Sequence, residues 1–263
     1  IVPLLFLQCE NVTMKSGLIL WVTTLSWGLA LSSSAVSSER PNDNVQFYDV
    51  IKVNPRDKID HRVQISDPFN KNLMSVRLRG PLYWSRPIGN AGRSVRTNRT
   101  PPAIMSWYTV HQADLQADRT LLLVDRLSTR PYKVKLAEPM YLLSPAQRVT
   151  TGDPAAIPQD LNYFLAYRIK QGGRPVGEFK KLVIANVPKR ELLSPYFVCL
   201  PVEERHHFDH FPVKAKGQLL VVYKATPRSL KGNVSILDQF GVNVMEMQSS
   251  NWIYIKGQIL SVE

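Results

Sequence analysis

Pro81-Leu-Tyr-Trp-Ser-Arg-Pro87, Pro139-Met-Tyr-Leu-Leu-Ser-Pro145 and Pro195-Tyr-Phe-Val-Cys-Leu-Pro201 are three versions of one phrase, two prolines six residues apart enclosing an aromatic, apolar run. Asn251-Trp-Ile-Tyr-Ile-Lys-Gly257 stands in the fourth place, with turn formers where the prolines were. Two further landmarks precede each phrase in a constant order. An aromatic pattern with a tyrosine occurs at Tyr48, Tyr108, Tyr167 and Tyr223, spaced by 60, 59 and 56 residues. A hydrophobe-x-Asp/Asn step follows at Asp67, Asp125, Asn186 and Asp238. Phe69, Leu127 and Phe240 stand two positions beyond the aspartates, and Pro188 takes that place in the third case. Self-similarity at a fixed period marks supersecondary units that share a core. The chain therefore reads as four diverged repeats of about 57 residues.

Val, Ile, Tyr, Phe and Trp dominate the landmarks, and Pro or Gly punctuates them, which is the composition of strands and turns. In Met74-Ser-Val-Arg-Leu-Arg79, Met74, Val76 and Leu78 share one face and Ser75, Arg77 and Arg79 the other. That is a half-buried strand with a basic outer face. The prolines suit strand ends, because a central strand cannot spare the donor. The expectation is an all-β fold in which each repeat supplies three to four short strands, the repeats packing as two pairs in a sandwich- or barrel-like way. The first pair spans 45–149 and the second 150–263, divided at the polar loop 150–158. Recurrence of Asp67, Asp125 and Asp238 at one position of the unit argues for a turn or hydrogen-bonding role rather than catalysis.

Residues 1–38 read as upstream residues plus a signal peptide. Met14-Lys15 is followed by an apolar run from 18 to 31 and small residues at 32–37, with cleavage frames after Ala35 or Ser37. The run is short for a spanning helix, which needs roughly 20 apolar residues. An exported protein is expected, periplasmic, cell-surface or secreted, with no membrane span once the leader is gone. The leader holds only Glu10 and Lys15 as charges, so the net +12 from 33 basic and 21 acidic residues survives its removal. Two cysteines exclude a disulfide scaffold. Cys9 leaves with the leader, and Cys199, inside Tyr196-Phe-Val-Cys-Leu200, reads as a small buried hydrophobe.

Leu161-Asn-Tyr-Phe-Leu-Ala-Tyr167, Leu237-Asp-Gln-Phe-Gly241 and Val198-Cys-Leu-Pro-Val202 resemble the recurring words of a bacterial exported repeat domain of unknown function, of the kind found in planctomycetes. The resemblance covers roughly 104–263, and more faintly 46–90. It implies a β-rich repeat and an exported compartment, and it implies no activity. The chain departs from the pattern at Asn186-Val-Pro and in the fourth unit, which lacks the Cys-Pro ending.

Two clusters are candidates for chemistry or binding. Glu203-Glu-Arg-His-His-Phe-Asp-His210 places three histidines beside three carboxylates, a donor set suited to Zn²⁺ or a similar divalent ion. His206, His207, Asp209 and His210 are the candidate ligands. On a helical turn His206 and His210 would share a face, and in an extended segment His206, Phe208 and His210 would share one. The alternative is an exposed connector whose histidines hold backbone in a turn while Phe208 and Phe211 pack beneath. The second cluster is basic: Arg77, Arg79 and Arg86 lead into a loop carrying Arg93, Arg96 and Arg99, the candidate contacts for a polyanion. No known nucleic-acid motif is present. Gly-x-Ser-x-Gly, a phosphate-binding loop, a dinucleotide fingerprint and Cys-x-x-Cys are all missing, so no catalytic residue is assigned. The reading is a non-enzymatic structural or binding module without cofactor, whose partner would be an anionic cell-surface polymer or another envelope protein. A metal-binding protein, including a hydrolase centred on the histidines, is the alternative.

Overall fold

A two-residue apolar period in β-branched and aromatic sequence favours extended chain with one face buried, and the described residues take that form throughout. The structure, a computed structural model, describes residues 47–57, 59–88, 104–111, 118–125, 127–128, 130–150, 156–172 and 190–263. The signal segment, Asn186 and the loop bearing Arg93, Arg96 and Arg99 lie outside these residues. Among them are twelve strands and no helix: β1 Phe47–Pro55, β2 Ile59–Ser66, β3 Met74–Ile88, β4 Ile104–His111, β5 Thr120–Asp125, β6 Tyr132–Arg148, β7 Tyr163–Gly172, β8 Leu192–His206, β9 Asp209–Phe211, β10 Leu219–Ser229, β11 Asn233–Asp238 and β12 Gly241–Val262. The all-β expectation holds.

The strands recur in a fixed order: a ring strand, an arm, then a long strand. β1-β2-β3, β4-β5-β6 and β10-β11-β12 follow it, and β7 and β8 supply the ring and long strands of the third segment. Eight antiparallel pairings close a ring, β1-β3-β4-β6-β7-β8-β10-β12 and back to β1. Each arm bridges two long strands. β2 lies between β3 and β8, β5 between β6 and β12, and β11 between β12 and β6. Each arm therefore pairs with the long strand of its own segment and with that of the segment two along. Strands from before and after residue 150 share one sheet.

The long strands correct the expectation of short strands ending at prolines. β3, β6, β8 and β12 run for 15, 17, 15 and 22 residues, with the landmark prolines inside the first three and Asn251 and Gly257 inside β12. The first landmark residue falls at a register shift in every case: beside Pro81 in β3–β4, at Pro139 in β6–β7, opposite Tyr223 at Pro195 in β8–β10, and at Asn251 in β1–β12. A bulge breaks the ladder and bends the strand, so the missing proline donor costs nothing there. The phrase therefore opens at a bulge in each long strand. At Gly80, next to Pro81, φ is +130° and a Cβ would stand 2.8 Å from the Leu82 nitrogen, a backbone that glycine accommodates.

Alternate residues of the ring strands fall into separate cores. Tyr48, Val50, Met105, Trp107, Tyr141, Leu143, Phe197, Cys199, Val222 and Tyr254 form one cluster. Tyr141 and Trp252, from strands opposite one another in the ring, stand 6.2 Å apart, so this face looks into the ring. Aromatic residues of the four landmark phrases meet there in a circuit: Tyr83–Tyr141 at 5.5 Å, Tyr141–Phe197 at 5.6 Å, Phe197–Trp252 at 5.1 Å and Trp252–Tyr83 at 4.6 Å. Cys199 is sealed in this core and burial pushes its thiol pKa up, as a buried small hydrophobe requires. The other face, with Tyr108, Leu165, Tyr167, Val198, Val221 and Tyr223, joins Val63, Ile65, Leu121 and Leu123 of the arms in the largest core.

A buried ion pair ties the ring strands together. Arg190 Nη1 donates to Asp49 Oδ1 at 2.7 Å and to Ser250 Oγ at 2.8 Å, and Nη2 donates to the Ser250 and Thr226 carbonyls at 2.7 and 2.8 Å. Both charged side chains are nearly inaccessible. Truncating one member would leave the other charge buried and unpaired. Asp49→Ala is expected to lower stability by about 3–5 kcal/mol in urea unfolding; a loss under about 1 kcal/mol, typical of surface pairs, would contradict the role.

Candidate functional site

The recurring aspartates are consumed by the fold. Asp67 Oδ1 accepts from the Phe69 and Asn70 amides at 2.7 and 2.9 Å, Asp125 Oδ1 from Leu127 and Ser128 at 2.7 and 3.0 Å, and Asp238 Oδ1 from Phe240 at 2.9 Å. These are turns closed by a side chain. The second carboxylate oxygen of each receives a buried tyrosine hydroxyl from two segments away. Tyr167 donates to Asp67 at 2.5 Å, Tyr223 to Asp125 at 2.5 Å and Tyr108 to Asp238 at 2.6 Å. At two of the three aspartates the residue two positions on covers the bond: Phe69 meets Tyr167 edge-on at 5.6 Å, and Phe240 meets Tyr108 at 4.8 Å. The first segment departs by one residue. Phe47, not Tyr48, lies in the core of the other three tyrosines, while Tyr48 stacks on Tyr254 inside the ring at 4.5 Å.

The histidine cluster forms a hairpin instead of a continuous extended segment. β8 and β9 pair as Glu204↔Phe211, Arg205↔His210 and His206↔Asp209, with His207 and Phe208 in the turn. His207 has φ 55°, in the left-handed region. Because neighbours along a strand point to opposite faces, His206 and His210 separate. His206 turns toward His61 and Phe240, with ring centroids at 5.6 and 5.2 Å. His210 Nε2 lies 3.0 Å from Glu203 Oε1 on the other face. Asp209 and His207 are exposed. Among the described residues no three His, Cys, Asp or Glu side chains gather to hold a metal ion. Phe211 packs against Tyr163 at 4.9 Å, but Phe208 is 105% exposed, so the turn holds one phenylalanine beneath it and presents the other to solvent.

That hairpin walls a cavity of about 560 Å³. Its floor is a row of side chains in register across four strands, Ser75, Gln64, Arg205 and His210. Arg62 and Asp209 flank the row, and His207 and Phe208 form the rim. Arg205 is held by Glu203, with Nε and Nη2 at 3.0 and 2.8 Å from Oε1, and this hydrogen bond lowers the Glu203 carboxyl pKa. Arg77 is bound to Asp60 across the same sheet. Arg62 has no carboxylate within 4.0 Å among the described residues. The basic outer face expected for Met74–Arg79 is therefore present, partly neutralised, and Arg62 is its unpaired member. Two features of the region carried no sequence signal. Phe208 sits in a tight turn without Asn or Gly, and Glu204 looks like one of a surface pair of glutamates.

Glu204 is fully buried, and neither of its oxygens meets a hydrogen-bond partner among the described residues. Burial pushes its pKa to about 8, and the nearby Gln239 amide offsets only part of that rise. Gln239 Oε1 already accepts from the Tyr163 hydroxyl at 2.9 Å.

Two outcomes follow from these buried groups. Tyr108→Phe leaves Asp238 short of a donor in a dry site and should cost about 1–3 kcal/mol, measured by chemical unfolding; a neutral change would remove the bond from the structural account. Glu204 is neutral in the folded chain up to about pH 8, whereas its ordinary value is 4.5. Between these values the folded state binds more protons, so this group's contribution to stability falls as pH rises from about 4.5 and levels off above 8. His61 and His206, whose pKa values burial lowers, act in the opposite sense. They cancel in a comparison with Glu204→Gln. The variant's stability relative to the parent should rise across that window, and a constant difference would contradict the burial of a proton on Glu204.

No curated protein and no solved structure matches the chain. Residues 104–256, from the first residue of β4 into β12, match the model of a repeat of unknown function (DUF7450). That span is more than half of the chain, which belongs to this repeat family.

Proposed function

We propose that the protein is an exported, non-catalytic β-repeat module that acts by structure or by binding at the cell envelope or outside it. The observation that carries this reading is the use of its reactive groups. The recurring carboxylates each close a turn and accept a tyrosine, the cysteine is sealed in the ring, and the buried arginine is satisfied by Asp49, Ser250 and Thr226. Such groups serve architecture, and what the surface offers is a polar, partly basic face suited to recognition. The apolar run and small residues before position 38 support export. Four units belong to the same reading. The four bends, the aromatic circuit and the constant linkage between segments two apart support that count.

Expression from Met14 in a bacterial host, followed by fractionation and N-terminal sequencing, tests the reading. The expected product lies outside the cytoplasm and begins after Ala35 or Ser37. A chain that keeps Met14 and remains in the cytoplasm would overturn it.

A further inference from the structure

We propose that the cavity under the β8–β9 hairpin binds an acidic saccharide, with Arg62 and Arg205 receiving its carboxylate or sulfate and Phe208 lying against a sugar ring. The proposal rests on the reading of the protein as a binding module and names the site and ligand class for it. β9 is the one described strand that belongs neither to the ring nor to an arm. The repeat architecture does not need it. At its turn a phenylalanine stands 105% exposed, giving up the burial that Phe211 obtains three residues later. Burying such a side chain is favourable, and folding recovers none of that gain here.

The lining narrows what could cover that ring. About 560 Å³ falls within the range of small-molecule sites, about 300–1,000 Å³. Arg62 has no carboxylate within 4.0 Å among the described residues, and Arg205, held by Glu203 through Nε and Nη2, keeps Nη1 for a second acceptor; a guanidinium is matched by a planar or tetrahedral oxyanion. Asp209 in the same cavity accepts hydrogen bonds and repels a simple polyanion, while Ser75 and Gln64 both donate and accept. A ligand with one acidic group and several hydroxyls satisfies all of these at once, and the apolar face of its ring matches Phe208. Single-stranded nucleic acid would ask for successive stacking aromatics, and the cavity has one. A bilayer would ask for a contiguous apolar surface, and around Phe208 the cavity is lined by Arg62, Gln64, Arg205, His207 and Asp209.

Calorimetric titration of the purified chain with oligogalacturonate, a heparin oligosaccharide, a neutral dextran oligosaccharide and anionic phosphatidylglycerol vesicles tests the assignment. Saturable binding to an acidic oligosaccharide and none to dextran is expected; the two acidic probes separate a carboxylate from a sulfate ligand. Phe208→Ala, Arg62→Ala and Arg205→Ala should each weaken that binding by about tenfold or more. The variants should melt with the parent, since Phe208 and Arg205 are exposed. Lys133→Ala, at an exposed site outside the cavity, should bind as the parent does. Binding to neither acidic probe, binding that all three cavity variants leave unchanged, or Phe208-dependent binding to vesicles alone would each overturn the site. Those results leave export untouched, whereas a cytoplasmic chain would overturn the broader reading even with the saccharide bound.

Discussion

A tyrosine hydroxyl taken out of water must find an acceptor, and in this chain the acceptor is an aspartate that already closes a turn two segments away. The bond does two things through one carboxylate. Oδ1 fixes the reversal of the arm, and Oδ2 fixes which ring strand that arm lies against. Backbone pairing obeys the same rule, since β2 reaches β8, β5 reaches β12 and β11 reaches β6. Side-chain and main-chain geometry thus specify one arrangement twice. Register along a strand has only a two-residue period, and a buried hydroxyl bonded to one particular carboxylate removes the remaining freedom.

The first segment supports this account by its exception. Phe47 occupies the tyrosine position there and brings no hydroxyl, and the matching step of the third segment in the sequence is Asn186 rather than aspartate. Donor and acceptor are altered together. In the sequence alone Tyr48 looks like the first member of the tyrosine series, because spacing cannot distinguish neighbours that point to opposite faces. Its placement needs the pleat, which is visible only once partners are known. The prolines misled in a related way. A donor missing from a ladder is costly, yet a bulge leaves a residue outside the ladder, and the landmark residues at 81, 139, 195 and 251 occupy such places.

Other features carried no local signature at all. Arg190 follows a lysine and reads as solvent-facing, but its partners are Asp49, 141 residues away, and Ser250, 60 residues away. Glu204 and Glu203 are adjacent and differ completely in environment, because one faces the core and the other the sheet surface. The histidines were conspicuous by number, and their separation depended on a two-residue reversal lacking the usual turn residues. What composition displayed was the architecture, since repetition writes it several times. The hairpin that walls the cavity is written once, and a single occurrence offers nothing for comparison.

The linkage between segments two apart also sets an order of events as the chain is made. The tyrosine–aspartate bonds span 98, 100 and 130 residues. In a solenoid each new unit docks on the one just completed. Here the first arm must wait for the third segment, and the second for the fourth. Long-range closure of this sort slows folding and leaves strand edges open in the meantime. Half of this chain is therefore not half of this fold: the protein emerges as a set of unfinished sheets that become a structure together, when the last long strand arrives.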